Sequence, residues 1–248
     1  MPLVLATTTP GEPEIFASLQ GEGPSAGKPV AFIRVSRCNL ACQWCDTAYT
    51  WHFNGDNRPH RRDGTYDRAA NQVTLTEEDA ARRIAALGKP RLVITGGEPL
   101  LQAPALARML DALIALAPGM TVEVETNGTV APHPAFDGQI AQYNVSPKLA
   151  HSGNPADLAL PRERLRHWAA EPRAIFKFVI AEAADVDEVL ALANACAIPH
   201  HRIWLMAEGT DPATLAGRER WLTDICIEHN LTLSKRLHIE LFGDTRGT

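Results

Sequence analysis

The chain has 248 residues, a length that fits one large α/β domain with a sizeable core. Its hydrophobic fraction of 45% and charged fraction of 21% are ordinary for a globular protein, and its net charge of −5 argues against a general affinity for nucleic acid. No apolar run approaches the roughly 20 residues of a transmembrane helix, so no membrane association is expected. The five cysteines are an odd number and three are clustered, which predicts a reducing, cytoplasmic environment rather than a disulfide framework.

Strands and helices are predicted to alternate along the chain. Short apolar or alternating runs predict strands at Glu14–Ser18, Ala31–Ser36, Arg91–Thr95, Thr121–Glu125, Ile140–Val145, Ile175–Ile180 and Arg202–Met206. Helical spacing of apolar residues predicts a helix that Thr76 caps and Gly88 ends, and further helices at Pro104–Ala117, Asp185–Cys196 and Pro212–Asn230.

Strands that alternate with helices indicate βαβ units and a parallel sheet. We therefore predict an α/β fold, an open and partial β/α barrel of about six parallel strands, in a single domain over residues 1–248. One polar stretch, at about residues 50–72, departs from this rhythm. Long loops of this kind are either functional lids or solvated insertions, and the sequence leaves both interpretations open.

A cysteine motif follows the predicted strand Ala31–Ser36. Cys38, Cys42 and Cys45 have the spacing C-x3-C-x2-C with no fourth cysteine nearby. Structural zinc sites and conventional 4Fe–4S clusters normally take four protein ligands, so three thiolates suggest a cluster with one iron open to another ligand. The aromatic residue Trp44 could stack on a flat ring beside that iron. A zinc site with a distant fourth ligand is the alternative.

Three further motifs stand at predicted strand ends, where ligands gather in β/α folds. They are Thr95-Gly-Gly-Glu-Pro99, Glu123-Val-Glu-Thr-Asn-Gly128 and Asn144-Val-Ser-Pro-Lys148. Glycines let the backbone approach a ligand closely, and the backbone amides and Glu98 could bind an ammonium or a carboxylate. Each motif taken alone is also compatible with an ordinary turn.

The cysteine spacing with its aromatic, followed by Gly-Gly-Glu, resembles the radical S-adenosylmethionine (SAM) superfamily. The run Ser-Leu-Gln-Gly-Glu-Gly at Ser18–Gly23 and the sequence Cys45-Asp-Thr47 narrow this to a close resemblance to the 7-carboxy-7-deazaguanine synthase family, from Glu14 through Lys148 and more loosely beyond. The resemblance implies ring contraction of 6-carboxy-5,6,7,8-tetrahydropterin to 7-carboxy-7-deazaguanine with loss of ammonia, in 7-deazapurine (queuosine) biosynthesis. It also implies a 4Fe–4S cluster, SAM and Mg²⁺ as cofactors.

The same resemblance assigns roles to individual residues, with the radical formed from SAM, rather than a protein base, expected to drive the chemistry. The implied cluster ligands are Cys38, Cys42 and Cys45, and the implied magnesium ligand is Thr47, which would otherwise cap a helix. The implied SAM contacts are Trp44, Cys45, Asp46, Gly97, Glu98, Glu125, Asn127, Ser146, Pro147 and Lys148. The implied substrate contacts are Leu19, Gln20, Gly21, Glu22, Arg34, Thr95 and, at the C-terminal tail, Thr248.

The implied partners are a small-molecule pterin substrate, an electron donor such as flavodoxin, and a second copy of the chain in a homodimer. Two rival interpretations remain at this stage. A radical SAM activase that installs a glycyl radical in a partner enzyme shares the cysteine spacing but does not account for Ser18–Gly23. A non-catalytic zinc-binding module accounts only for the cysteines.

Overall fold

The computed structural model describes residues 2–248 as one mixed sheet with helices packed against it. The strands are β1 (Leu3–Thr9), β2 (Glu12–Pro13), β3 (Ile15–Leu19), β4 (Pro29–Val35), β5 (Gln72–Leu75), β6 (Arg91–Gly96), β7 (Thr121–Thr126), β8 (Gln142–Val145), β9 (Ala174–Ile180), β10 (Ile203–Ala207) and β11 (Thr232–Ser234). The helices are α1 (Arg68–Asn71), α2 (Glu77–Ala86), α3 (Ala103–Leu116), α4 (Pro134–Asp137), α5 (Ala156–Ala159), α6 (Arg162–Ala170), α7 (Ala183–Cys196), α8 (Pro212–His229) and α9 (Leu237–Phe242).

The sheet is open and mostly parallel, as predicted. Its strand order is β11-β10-β9-β8-β7-β6-β4-β1-β2, and the pairs from β11 through β4 are all parallel. The other edge is antiparallel, because β3 and β1 both pair with β4, and β5 pairs with β1. The expected six parallel strands are therefore present, and the short strand β11 extends them.

Side-chain alternation along the strands separates the core from the inner face of the sheet. In β4, Ile33 and Val35 are fully buried in the core, whereas Arg34 between them lines a cavity. In β9, Phe178 is in the core, whereas the neighbouring Lys177 faces the same cavity. Successive side chains of a strand point to opposite faces, so this period of two builds both the core and the cavity wall.

The predicted helices form with ends within a few residues of the expected positions. Thr76 caps α2 through its side chain, which accepts a hydrogen bond from the Asp79 amide. Strand β8 begins later than predicted. Ile140 still belongs to a turn, because its amide donates a hydrogen bond to the Asp137 carbonyl. The elements that were not predicted from the sequence are β1, β2, β5, β11, α1, α4, α5, α6 and α9.

One helical run is longer and more apolar than the sequence analysis suggested. The 18 residues of Pro99–Leu116, which include α3, have a mean hydropathy of 1.3 and would be long enough to cross a membrane. Half of that segment is buried inside the fold, where α3 packs against α2 and its apolar face belongs to the same core cluster as the strands. This burial is typical of a core helix.

The polar segment at residues 50–72 folds against the rest of the chain. Trp51, His52 and Phe53 are each at most 5% exposed, and Phe53 forms a β-bridge with Tyr66. Its last residues form the short helix α1, which Asp67 caps. The segment therefore begins with buried side chains, whereas its middle is exposed and its last residues form a helix without a buried residue.

Candidate active site

One cavity of about 310 Å³ opens at the carboxyl ends of the parallel strands. This is the edge of the sheet where ligands bind in open α/β folds. The predicted site residues that line it are Leu19, Gln20, Gly21, Glu22, Arg34, Cys38, Cys42, Trp44, Cys45, Asp46, Thr47, Thr95, Gly97, Glu125, Asn127, Ser146, Lys148 and Thr248. Two predicted contacts, Glu98 and Pro147, lie outside the lining.

The three clustered cysteines are all free thiols that face this cavity. Burial raises the pKa of the Cys38 thiol to about 12 and that of the Cys42 thiol to about 11. The positive charge that opposes this increase at Cys42 comes from Lys148, whereas the neighbouring Arg37 is exposed. Metal binding at these sulfurs would therefore have to displace protons.

The thiols suit a cluster better than a single ion. Within residues 2–248, no group of three His, Cys, Asp or Glu side chains converges on one metal position. Each cysteine of a 4Fe–4S cluster binds a different iron atom, so its ligand sulfurs need not converge on one point. Each thiol also has a polar neighbour: Asn127 Nδ2 is 3.9 Å from Cys38 Sγ, Asn154 Nδ2 is 3.3 Å from Cys42 Sγ, and Thr47 Oγ1 is 3.6 Å from Cys45 Sγ.

The Gly-Gly-Glu motif joins the end of β6 to the cysteine loop. A Cβ atom on Gly97 would lie 2.1 Å from the carbonyl oxygen of Arg37, so only glycine fits this close approach. The Glu98 amide donates to the same carbonyl at 2.9 Å. The side chain of Glu98 is fully buried and accepts hydrogen bonds from Leu100 N at 3.0 Å, Thr126 Oγ1 at 2.8 Å and Asn127 N at 2.7 Å.

The placement of the Glu98 side chain differs from the expected contact with SAM. Glu98 fastens β6 to the end of β7, and burial raises the pKa of its carboxyl group. Because three protein donors already hold the carboxylate, a direct bond from Glu98 to the SAM ammonium stays a prediction. Gly97 and Asn127, on either side of it, do face the cavity.

Trp44 lies on the cavity wall in a position to meet a flat ligand. One face of its indole stacks on His151, with ring centroids 5.3 Å apart and planes at 16°. The Lys148 ammonium lies 5.5 Å from the indole centroid and donates to Ser146 Oγ at 2.9 Å. The indole Nε1 is buried and has no hydrogen-bond partner among residues 2–248, which leaves a donor for a bound group.

The floor of the cavity is a network of charges around two buried cations, Lys177 and Arg236. Lys177 Nζ donates to Glu22 and, at 2.8 Å, to Glu125 Oε2. Arg236 pairs with Glu22 at 3.2 Å and with Asp46. Although burial opposes ionisation, these cations lower the pKa of Glu22 and Asp46, whereas burial and the nearby Glu22 charge keep the pKa of Glu125 above its usual value.

The sequence analysis did not predict three residues of the cavity wall, which are Lys177, Arg236 and His238. One signal was present for Lys177, because a single charged residue interrupts the apolar strand Ala174–Ile180. No comparable signal in the sequence marked Arg236 or His238. Both follow β11; Arg236 directly precedes α9, and His238 lies in its first turn. A Cβ atom on Gly21 would lie 2.1 Å from His238 Nδ1, so the predicted glycine makes room for this unpredicted histidine.

Arg34 keeps part of its guanidinium for a ligand. Its Nε donates to Glu14 Oε1 at 2.7 Å, and the same buried carboxylate accepts from the Tyr49 hydroxyl at 2.9 Å. Although burial opposes its charge, Glu14 raises the pKa of Arg34. The terminal nitrogens of Arg34 form no hydrogen bond with the described residues 2–248, and the side chain lines the cavity.

Thr47 does not cap the 3₁₀ turn that follows it. It stands at the N-cap of Ala48–Thr50, but its side chain makes no capping hydrogen bond. The capping alternative is therefore not supported, and the hydroxyl is available at the cavity wall.

The polar segment and the C-terminal tail close over the cavity together. Arg62 pairs with Asp244, and the Arg246 guanidinium lies 3.5 Å from the Tyr49 ring centroid and 5.7 Å from that of Tyr66. All five of these side chains line the cavity. Of the two interpretations of residues 50–72, this arrangement favours a lid.

Comparisons with known proteins agree on one family. The sequence profile of the radical SAM superfamily matches residues 32–140. The 7-carboxy-7-deazaguanine synthase of Pyrobaculum aerophilum is 37% identical over 94% of this chain and 95% of its own length. That of Hyperthermus butylicus is 34% identical over 91% of this chain and 90% of its own. The crystal structure of QueE from Escherichia coli has a TM-score of 0.66 and 26% identity, and covers 95% of both chains. With relatives this similar over nearly its whole length, the chain belongs to the 7-carboxy-7-deazaguanine synthase family of radical SAM proteins.

Proposed function

We propose that the chain converts 6-carboxy-5,6,7,8-tetrahydropterin to 7-carboxy-7-deazaguanine with loss of ammonia, as a step of 7-deazapurine and queuosine biosynthesis. One observation carries this proposal beyond membership of the family. The Ser18–Gly23 run is separate in sequence from the cysteine loop and the Thr47 that follows it, yet Gln20, Cys45 and Thr47 line one cavity. This arrangement supports a site for a small polar heterocycle beside a site for a cluster.

The three cavity thiols would hold a 4Fe–4S cluster that leaves one iron for SAM. When bound and reduced, such a cluster would supply the electron for reductive cleavage of SAM. The protein positions the reactants. Trp44, Asn127 and Lys148 lie on the wall near the cysteines, where an indole face, an amide and an ammonium suit the ring, hydroxyl and carboxylate groups of SAM.

The opposite wall suits the pterin. Arg34 offers its terminal nitrogens to the substrate carboxylate, and a guanidinium binds a carboxylate through two parallel hydrogen bonds. Glu22 and Glu125 present acceptors for the ring N–H and amino groups of the aminopyrimidinone. For Glu125 this replaces the expected SAM contact, because Lys177 holds it beside Glu22. Lys177, held between the two carboxylates, fixes their separation and orientation.

His238 completes this wall in its neutral form. Burial lowers its pKa, and the Arg236 and Lys177 charges act in the same direction, against the opposing effect of Glu22. At neutral pH its imidazole therefore carries one ring proton, and it can both donate and accept a hydrogen bond at the substrate.

Magnesium is the third cofactor of the proposal. The Thr47 hydroxyl is an oxygen donor of the kind that Mg²⁺ accepts, and substrate oxygens and water would complete its coordination. The support is the position of Thr47 on the cavity wall without a capping role.

The remaining assignments follow the family resemblance. We propose one domain over residues 1–248 with residues 50–72 as its lid, a cytoplasmic location, a homodimer, and a small electron carrier such as flavodoxin as reductant. The tail that ends at Thr248 is proposed to contact the substrate, because Thr248 lies in the cavity lining.

An anaerobic product assay tests the proposal. The reconstituted protein receives SAM, a reductant, Mg²⁺ and 6-carboxy-tetrahydropterin, and products are followed by mass spectrometry, with Cys45→Ala as the control. We expect a product lighter by ammonia, formed many times per SAM. Deoxyadenosine that forms only with an added partner protein would indicate the activase instead, and a colourless protein that holds zinc would indicate the binding module.

A further inference from the structure

Asn154 fastens a second loop to the cysteine loop. It follows the 3₁₀ turn Ala150–Ser152 after β8, and its side chain reaches across to the motif. The Asn154 Oδ1 atom accepts from the Ala41 amide at 2.8 Å, and Nδ2 donates to Cys42 Sγ at 3.3 Å and to Ser152 Oγ at 3.1 Å. The backbone supports the contact, because the Gln43 amide donates to the Ser152 carbonyl at 2.9 Å. Residues on both sides of Cys42 are therefore held by this loop.

The surroundings of Cys42 strengthen the hydrogen bond from Asn154 Nδ2 to its sulfur. Cys42 is 7% exposed and packs with Leu40 and Ala159, which are each 1% exposed. In such apolar surroundings a hydrogen bond is electrostatically stronger than in water. The bond thus acts on the Cys42 sulfur with little competition from solvent.

Asn154 also differs from the donors to the other two thiols. Asn127 and Thr47 lie farther from their sulfurs, at 3.9 Å and 3.6 Å, and both line the cavity, where SAM and magnesium are proposed. Asn154 lies outside the lining residues. A change at Asn154 can therefore alter the thiolate without removing a ligand contact.

We propose that Asn154 is a positioning residue that raises the reduction potential of the cluster through its hydrogen bond to Cys42. The inference rests on the proposed 4Fe–4S cluster. Reduction adds one electron to the cluster and its thiolates, with no bond made or broken. A donor to a ligand sulfur stabilises that extra negative charge, and hydrogen bonds to the sulfurs are among the factors that set the potential.

The test is an EPR-monitored redox titration of the cluster in full-length protein. Asn154→Ala removes the donor and the acceptor, whereas Asn154→Asp keeps an oxygen for the Ala41 amide and replaces the donor with a negative charge. The matched control is Asn230→Asp, an exposed residue with φ 54° that ends α8 at the opposite edge of the sheet. Iron and sulfide are counted in every protein before titration.

We expect both Asn154 variants to be harder to reduce. At the wild-type midpoint, the ratio of reduced to oxidised cluster should fall at least threefold, which is about 28 mV at 59 mV per tenfold change for one electron. Asn154→Asp should shift at least as far as Asn154→Ala, and Asn230→Asp should match the wild type. Loaded Asn154 variants within threefold of the wild type, or a positive shift, would overturn the inference.

Failure of both Asn154 variants to load a cluster would also overturn it, since Asn154 would then only hold the loop. A wild-type protein that binds no 4Fe–4S cluster would instead remove the proposed function, and this result is visible in the iron count before any variant is compared.

Discussion

Lys177→Met removes the buried cation between two half-buried carboxylates. The Lys177 side chain is 4% exposed and pairs with Glu22 and Glu125. Removing one partner of a buried pair typically destabilises a protein by about 3–5 kcal/mol. Glu22 keeps Arg236 at 3.2 Å, so we expect the lower end of this range, about 3 kcal/mol at pH 8.

The destabilisation should depend on pH, with a defined sign. Burial already raises the pKa of Glu125, and loss of the Lys177 charge raises it further. A carboxyl group whose folded pKa exceeds its unfolded pKa destabilises the fold when ionised, and this effect disappears as the pH falls through the folded pKa. The loss of stability in Lys177→Met should therefore be smaller at pH 5 than at pH 8.

Anaerobic urea unfolding of equally loaded proteins at pH 5 and pH 8 measures these differences. Lys28→Met, at an exposed lysine, is the matched control and should stay within about 0.5 kcal/mol of the wild type. The double variant Lys177→Met/Glu125→Gln should regain about 1–2 kcal/mol, because it also removes an unpaired charge. A Lys177→Met protein within about 1 kcal/mol of the wild type, or equally destabilised at both pH values, would refute the reasoning.

Three further predictions concern the rest of the site. Thr47→Ala should weaken the dependence of activity on magnesium or lower kcat, with the iron content unchanged. Thr47→Ser should keep the magnesium dependence and the kcat of the wild type. If a lower Tm is the only effect of Thr47→Ala, Thr47 is structural. Deletion of Phe242–Thr248 should raise the KM for the pterin sharply, because this tail supplies residues to the cavity wall, and an unchanged KM would reject the role. Cys42→Ala should lose the iron and the brown colour, while Cys196→Ala, at a buried thiol in α7, should keep both; equal iron in the two variants would contradict the cluster assignment.

The sequence predicted the side of the site that local motifs define. The cysteine loop and the Gly-Gly-Glu motif were identifiable because each directly follows a predicted strand, whereas the role of Thr47 was implied only by the family resemblance. The parallel sheet was also predictable, since its strands are continuous apolar runs between helices. Strand β1 was missed because its second half, Ala6–Thr9, is mostly threonine and gives no apolar alternation.

The other side of the site could not be predicted in the same way. The role of Arg236 is visible only in the folded chain, where the segment after β11 brings it into contact with Glu22 and Asp46. Glu98 shows the opposite case. Its motif suggested a ligand contact, but the approach of β7 surrounds the carboxylate with protein donors.

The charge network on the cavity floor has a consequence for the order of folding. Its pairs join residues 155 positions apart for Lys177 and Glu22, 190 for Arg236 and Asp46, and 214 for Arg236 and Glu22. Contacts between such distant residues require large loops to close and form slowly relative to local ones. During refolding from denaturant, the cysteine loop should thus stay accessible to iron, and to oxidants, until the final contacts bring the two ends of the chain together.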